Sequence, residues 1–168
     1  TPANAFSFQS DKGSIDYDVL FKGSLKRGGK LLNLSGKKIG DEGVERLVSS
    51  SYLKKVERID LRYNEITAVG AELLAKISPL PKLKSLILRH NILGDAGTTV
   101  LAKSGSFPNL EEIQLGWTET RDAGALAFGS SNKFKNLKKL DLRGNFLANK
   151  TKEELKKSLD HLKTLKLF

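Results

Sequence analysis

Apolar side chains recur along this chain at a fixed interval. Leu34, Leu61, Leu88, Leu115 and Leu142 stand 27 residues apart, and Leu167 follows after 25. Two positions before each of them is a second aliphatic residue: Leu32, Ile59, Leu86, Ile113, Leu140 and Leu165. Alternation of this kind predicts a short strand with one buried face. The frame LxxLxLxxNxLxxxG is clearest in VERIDLRYNEITAVG (56–70) and LKSLILRHNILGDAG (83–97), and LEEIQLGWTETRDAG and LKKLDLRGNFLANKT continue it. Behind each strand a stretch with helical spacing ends in Leu47, Leu74, Leu101, Phe128 or Leu155. Asp41, Asp95, Asp122 and Asn149 precede these stretches and are placed to cap the helices, as is Thr67 one position earlier. Thr151 and Glu154 add the spacing of a capping box. Each repeat therefore reads as strand, turn, helix.

A period in this range implies stacked supersecondary units, because no single repeat can bury its own apolar face. Residues 30–168 are read as the stacked array and residues 1–29 as an N-terminal cap. Within that cap, 14–26 are expected to form a helix that starts at Ser14 and uses Ile15, Val19 and Leu25, after a short segment around Phe6 and Phe8. The chain ends inside a predicted strand, LKTLKLF, which leads to the expectation that a covering element is missing or that the open edge meets another chain. Thr1 in place of a methionine, in a chain without any Met, likewise suggests removed residues upstream, so a targeting signal would be invisible.

With these frames in view, residues 30–168 resemble the ribonuclease-inhibitor-like class of leucine-rich repeats. The resemblance implies an α/β fold, a right-handed leucine-rich repeat solenoid of about five repeats with a parallel concave sheet and convex helices. It also implies binding of a partner protein in the concavity, with inhibition of an enzyme as one form of it. Similar repeats occur in effectors that bacterial pathogens deliver into host cells. The sequence departs from the pattern at Lys37 and Thr118, which replace the frame Asn, at Thr120, which replaces a buried aliphatic residue, and at Thr151, which replaces Gly.

Composition narrows the chemistry. The chain has no cysteine, so disulfides, thiolate metal sites and cysteine nucleophiles are excluded, and a reducing compartment is the simpler expectation: the cytoplasm, or a host cytosol for an effector. No uncharged apolar stretch is long enough to span a bilayer. Only His90 and His161 are available as imidazole bases or ligands, and neither has partners at diagnostic spacing. Asp60 and Asp141, three strands apart and roughly 14 Å by strand spacing, are too distant for a glycosidase pair. GSLKRGGK (23–30) has the wrong register for a phosphate loop and reads as a turn. The two glycosylation triplets at Asn33 and Asn149 are read as unused. No catalytic residue, metal or cofactor is expected, and a monomer is the simpler oligomeric expectation.

Net charge is +10, but residues 130–168 carry eleven Lys/Arg against four Asp/Glu while residues 30–129 carry fourteen against twelve. A basic patch at the C-terminal end, from Lys133, Lys135, Lys138, Lys139, Lys150, Lys152, Lys156 and Lys157, therefore stays open as an anion site.

Parallel strands about 4.8 Å apart would align the remaining positions into columns on the concave side. Immediately after the frame leucine come Ser35, Arg62, Arg89, Gly116 and Arg143, and next to them Gly36, Tyr63, His90, Trp117 and Gly144. Between the inward positions stand Asn33, Asp60, Ile87, Gln114 and Asp141. Tyr, Trp and Arg dominate interface hot spots, so Trp117, Tyr63, His90, Arg62, Arg89, Arg143, Asp60, Ile87, Gln114 and Asp141 form the candidate partner-binding set. Ordinary solvation explains Arg62 beside Asp60 adequately and the sole tryptophan poorly. The alternative is nucleic-acid or other polyanion binding through the arginine column and the basic end, with aromatics stacking on bases.

Overall fold

A computed structural model of the chain describes residues 13–168, so the expected segment around Phe6 and Phe8 lies outside the described residues. Seven strands form one sheet in chain order: β1 (Leu25–Lys26), β2 (Leu31–Asn33), β3 (Arg58–Asp60), β4 (Ser85–Ile87), β5 (Glu112–Gln114), β6 (Lys139–Asp141) and β7 (Thr164–Lys166). All neighbours from β2 onward are parallel. The antiparallel β1 was not expected; it pairs Leu25 with Leu32 and covers the first edge. Helices α2 (Gly40–Val48), α3 (Ala68–Ala75), α4 (Gly94–Ala102), α5 (Asp122–Gly129) and α6 (Asn149–Ser158) stack in a second layer, and α1 (Tyr17–Ser24) packs on α2. This is the α/β solenoid of stacked strand–turn–helix repeats that the periodicity predicts.

The register joins Leu32, Ile59, Leu86, Ile113, Leu140 and Leu165 across the sheet, which places both aliphatic columns between sheet and helices. Each frame leucine from Leu34 to Leu142 is completely buried, with the helix residues Leu47, Leu74, Leu101, Phe128 and Leu155 closing the core from the other side. Burial of one such aliphatic contributes about 1.5 to 3 kcal/mol, so stability accrues repeat by repeat.

The helix starts depart from the sequence expectation. Asp41, Asp95 and Asp122 sit in the first turn of their own helices but reach into the following repeat. Asp41 Oδ1 accepts the N–H groups of Thr67 (2.9 Å) and Gly70 (3.0 Å), Asp95 Oδ1 those of Arg121 (2.9 Å) and Gly124 (2.7 Å), and Asp122 Oδ1 that of Ala148 (2.9 Å). These carboxylates cap the next helix: each stands inside its own first turn, past the capping position, and repeat stacking brings the following helix's first N–H groups within reach. Thr67 caps α3 as expected, accepting the N–H of Val69. No capping box forms at Thr151, which lies buried inside α6; Asn149 is its first residue and Ala148 its cap. Thr151 takes the place of Gly where its hydroxyl meets Asp122, and with the Ala148 N–H this holds the Asp122 carboxyl below its usual range.

The cap helix also differs. Asp16, not Ser14, caps α1, and Ile15 and Val19 are exposed while Phe21 is buried with Tyr17, Leu20 and Leu25 packed beside it. Segment 23–30, expected to be a turn throughout, instead holds the end of α1 and all of β1; only 27–30 turn, with Arg27, Gly28 and Gly29 at positive φ.

Candidate functional site

The concave wall is assembled from the residue after each frame leucine and the one following it. Positions 36, 63, 90, 117 and 144 all adopt the left-handed conformation, with φ between 53° and 70°. Inter-repeat hydrogen bonds fix this turn: the N–H groups of Gly36, Tyr63, His90 and Trp117 donate to the carbonyls of Arg62, Arg89, Gly116 and Arg143 at 2.8, 3.3, 3.0 and 2.9 Å. Glycine occupies the two outer positions without strain. Tyr63, His90 and Trp117 occupy the middle three, where the conformation costs an L-residue roughly 1 to 2 kcal/mol each. Strain of this sort concentrates at functional sites.

The three rings stack. Tyr63 and His90 have centroids 4.3 Å apart with planes at 9°, and His90 and Trp117 are 4.9 Å apart at 10°. Trp117 continues the stack onto Gly144, where any Cβ would run into the indole. The Arg89 guanidinium lies 4.9 Å from the Trp117 ring centroid. Tyr63 is 52% exposed and Trp117 40%, so the column presents edges and one outer face to solvent. Burial pushes the His90 imidazole below its ordinary value, and the charges of Arg89 and Arg62 push it the same way.

The arginines of the adjacent column are not equivalent. Arg62 grips Asp60 in a fork, Nε to Oδ1 at 3.0 Å and a terminal nitrogen to Oδ2 at 2.7 Å, and Arg143 grips Asp141 with the same geometry. Burial opposes ionisation of Asp141, yet the hydrogen bonds and charge of Arg143 hold its carboxyl below the usual range. Arg89 has no such partner, because Ile87 stands where Asp60 and Asp141 stand in their repeats. Its Nε is shielded from water and has no acceptor.

Three candidates do not have the exposure the sequence predicts. Asp60 (4% exposed) and Asp141 (6%) are covered by the arginines that fold back on them. Ile87 (1%) lies outside the main core, on the concave side between Asp60 and Gln114, where strand spacing of about 4.8 Å lets neighbouring side chains close over it. Gln114 is half-buried and donates to Glu112 at 2.8 Å. Glu112 also accepts from Ser85 (3.0 Å) and Arg58 (3.3 Å), a cluster the sequence did not reveal because its members lie 27 and 54 residues apart.

The consensus breaks beside Trp117 turn out to be internal. Asn91 and Asn145 each accept two backbone N–H groups of the preceding repeat and donate to two carbonyls; Asn145 Oδ1 takes those of Thr118 and Thr120. Thr118 instead bonds the Leu115 carbonyl at 2.7 Å and meets Thr120 at 2.9 Å, and Thr120 meets Thr98 at 2.6 Å. All three hydroxyls are fully buried and satisfied, so these substitutions support the wall without forming part of it. The lysines of the basic end divide between loop, sheet and helix: Lys138 and Lys139 flank β6, whereas Lys150, Lys152, Lys156 and Lys157 lie on α6. They do not make one patch. His161 is exposed in the turn after α6.

Next to Arg89 the wall sinks into a depression of about 390 Å³ bordered by Arg89, Glu112, Lys139, Asp141, Arg143 and Lys166. Among the described residues no group of three His, Asp or Glu side chains is placed to hold a metal ion, and no helix is long and apolar enough to cross a membrane.

The family model for the leucine-rich repeat matches residues 30–48, 52–75 and 80–102, the first three repeats of the solenoid. No curated protein matches the chain in sequence. Leucine-rich repeats generally mediate protein–protein interaction, and the proteins that carry them are typically non-enzymatic binding scaffolds.

Proposed function

We propose that this chain binds a partner protein on its concave wall, with Tyr63 and Trp117 as aromatic anchors and Arg89 as the principal charged contact. The observation that carries the reading is the continuous stack Tyr63–His90–Trp117, held in a strained backbone conformation at the surface although glycine fills the same turn elsewhere. Rigid aromatics lose little conformational entropy on binding and are typical hot-spot residues. Arg62 and Arg143, fixed by their own carboxylates, act as pre-organised rim donors, with Asp60, Ile87 and Asp141 supporting the wall from beneath. Covering the mouth of an enzyme, and so inhibiting it, is a use that suits a curved wall of this kind.

The polyanion alternative gains less support. Ring faces that nucleobases would need are already turned toward one another, leaving the outer face of Tyr63 as the free platform. The test is affinity capture from lysate with wild type, Trp117→Ala and Tyr63→Ala, each first checked for folding by circular dichroism. A protein captured by wild type should be lost or reduced at least about tenfold with either variant, as for hot-spot truncations above 1 to 2 kcal/mol. Undiminished capture by both variants would reject the concave wall as the contact surface.

A further inference from the structure

We propose that the depression bordered by Arg89 is a receptor for a carboxylate, an aspartate or glutamate side chain of the partner protein, seated between the Arg89 guanidinium and the ammonium groups of Lys139 and Lys166. This rests on the reading of the concave wall as the contact surface and adds the chemistry that the partner must bring.

Arg89 is built differently from its column neighbours. With Ile87 two residues before it, it has no carboxylate to fold back on, and its side chain extends across Gly116 toward β6. Gly116 is not among the residues at positive φ, so its backbone does not require glycine. Space favours it: a Cβ there would press on the Arg143 carbonyl at 3.0 Å and touch the Arg89 Nε at 3.5 Å, and a longer side chain would stand in the path of Arg89. A missing side chain in repeat 4 thus opens the corridor along which the arginine of repeat 3 reaches the depression. Trp117, 4.9 Å from the guanidinium, holds its head in place. Its Nε is shielded from water and finds no acceptor among the described residues, and a partly desolvated guanidinium gains more from an anion at its remaining N–H groups than a fully hydrated one does.

Charge around the depression points the same way. Four cations border it, Arg89, Lys139, Arg143 and Lys166, against two carboxylates, Glu112 and Asp141. Both carboxylates are already matched, Asp141 by Arg143 at 2.7 Å and Glu112 by Arg58 at 3.3 Å. Among the described residues, Arg89, Lys139 and Lys166 form no salt bridge. Several other cations beside the parallel strands are engaged: Arg62 by Asp60, and Lys84 and Lys138 by Glu111. Arg89, Lys139 and Lys166 thus meet in one hollow that suits one or two acidic side chains, whereas a nucleic-acid backbone would need an unpaired track along the whole face.

The experiment uses the single tryptophan as reporter. Trp117 fluorescence of the full chain is titrated with hexaglutamate, with hexaglutamine as the neutral control and poly(U) as the nucleic-acid control. Wild type should show a saturable response to hexaglutamate and none to hexaglutamine. Arg89→Gln should weaken it about tenfold or more, the loss of a charge-assisted hydrogen-bonded pair. The Lys139→Gln/Lys166→Gln double variant, altered only at sheet-surface lysines, should weaken it in the same direction should Arg89→Gln fail to fold. Lys76→Gln, an equal charge change at the end of α3, should leave it unchanged. A response that survives both depression variants overturns the proposal, and so does poly(U) binding as tightly as hexaglutamate with the same dependence on Arg89. Absence of any hexaglutamate response while Trp117→Ala still abolishes partner capture overturns the carboxylate receptor and leaves the concave-wall reading standing. Undiminished capture by both Trp117→Ala and Tyr63→Ala removes both readings.

Discussion

Two glycines on the wall illustrate how residues with one letter do different work. Gly144 is needed for its φ of +70° and for the indole lying on it, while Gly116 has an ordinary backbone and is pressed by the Arg143 carbonyl, 3.0 Å from where a Cβ would stand, with Arg89 passing over it. Gly144→Ala should therefore cost about 1 to 2 kcal/mol from the backbone alone and displace Trp117 as well. Urea denaturation measures the first, and a shift in tryptophan emission of the folded protein the second. His90, enclosed by Tyr63 and Trp117 and facing Arg62 and Arg89, should titrate below the ordinary imidazole value of 6.5 in an NMR pH series, and Arg89→Gln should raise it. A base whose pKa falls on folding is bound by more protons in the unfolded chain. Its contribution to stability is thus present above pH 6.5 and is lost as pH falls through the folded value. The identity of the aromatic column was legible from spacing alone. The burial of Asp60, Asp141 and Ile87 was not, because it depends on arginines folding back along the strand, a rotamer choice that leaves no periodic signature.

Between elements, the connections run from one repeat to the next. Asn145 supplies two acceptor and two donor contacts to repeats 4 and 5, and Asn145→Ala would strand the N–H groups of Thr118 and Thr120 in the interior. A loss of about 3 kcal/mol is expected in chemical denaturation. Asp95→Ala should cost about 1 kcal/mol by uncapping α5, not the helix in which Asp95 resides, with faster amide exchange at Arg121 and Gly124 as its specific signature. Strands, helices and the inward columns could be read from the sequence because period 2 and helical spacing are properties of contiguous residues. The capping partners could not, since they lie 26 and 29 residues away and only stacking brings them together. For the same reason the antiparallel β1 escaped notice, two residues long and without alternation to mark it.

At the scale of the whole solenoid, a 27-residue register converts distant positions into one wall, and that conversion is the claim on which the functional reading depends. Most basic side chains of the described residues form no ion pair, and on the sheet face three of them, Arg89, Lys139 and Lys166, meet at one depression. Binding to a partner should accordingly weaken only moderately with added salt, chiefly through association rate, whereas a polyanion ligand would show a steep logarithmic dependence. The most direct measurement places a photo-crosslinking benzoylphenylalanine at position 63 on the concave wall and, in a separate protein, at position 69 on α3, where Val69 is equally exposed. Covalent adducts with a common partner from position 63 and none from position 69 are predicted. Adducts from position 69 alone would put the partner on the helical side and contradict the account.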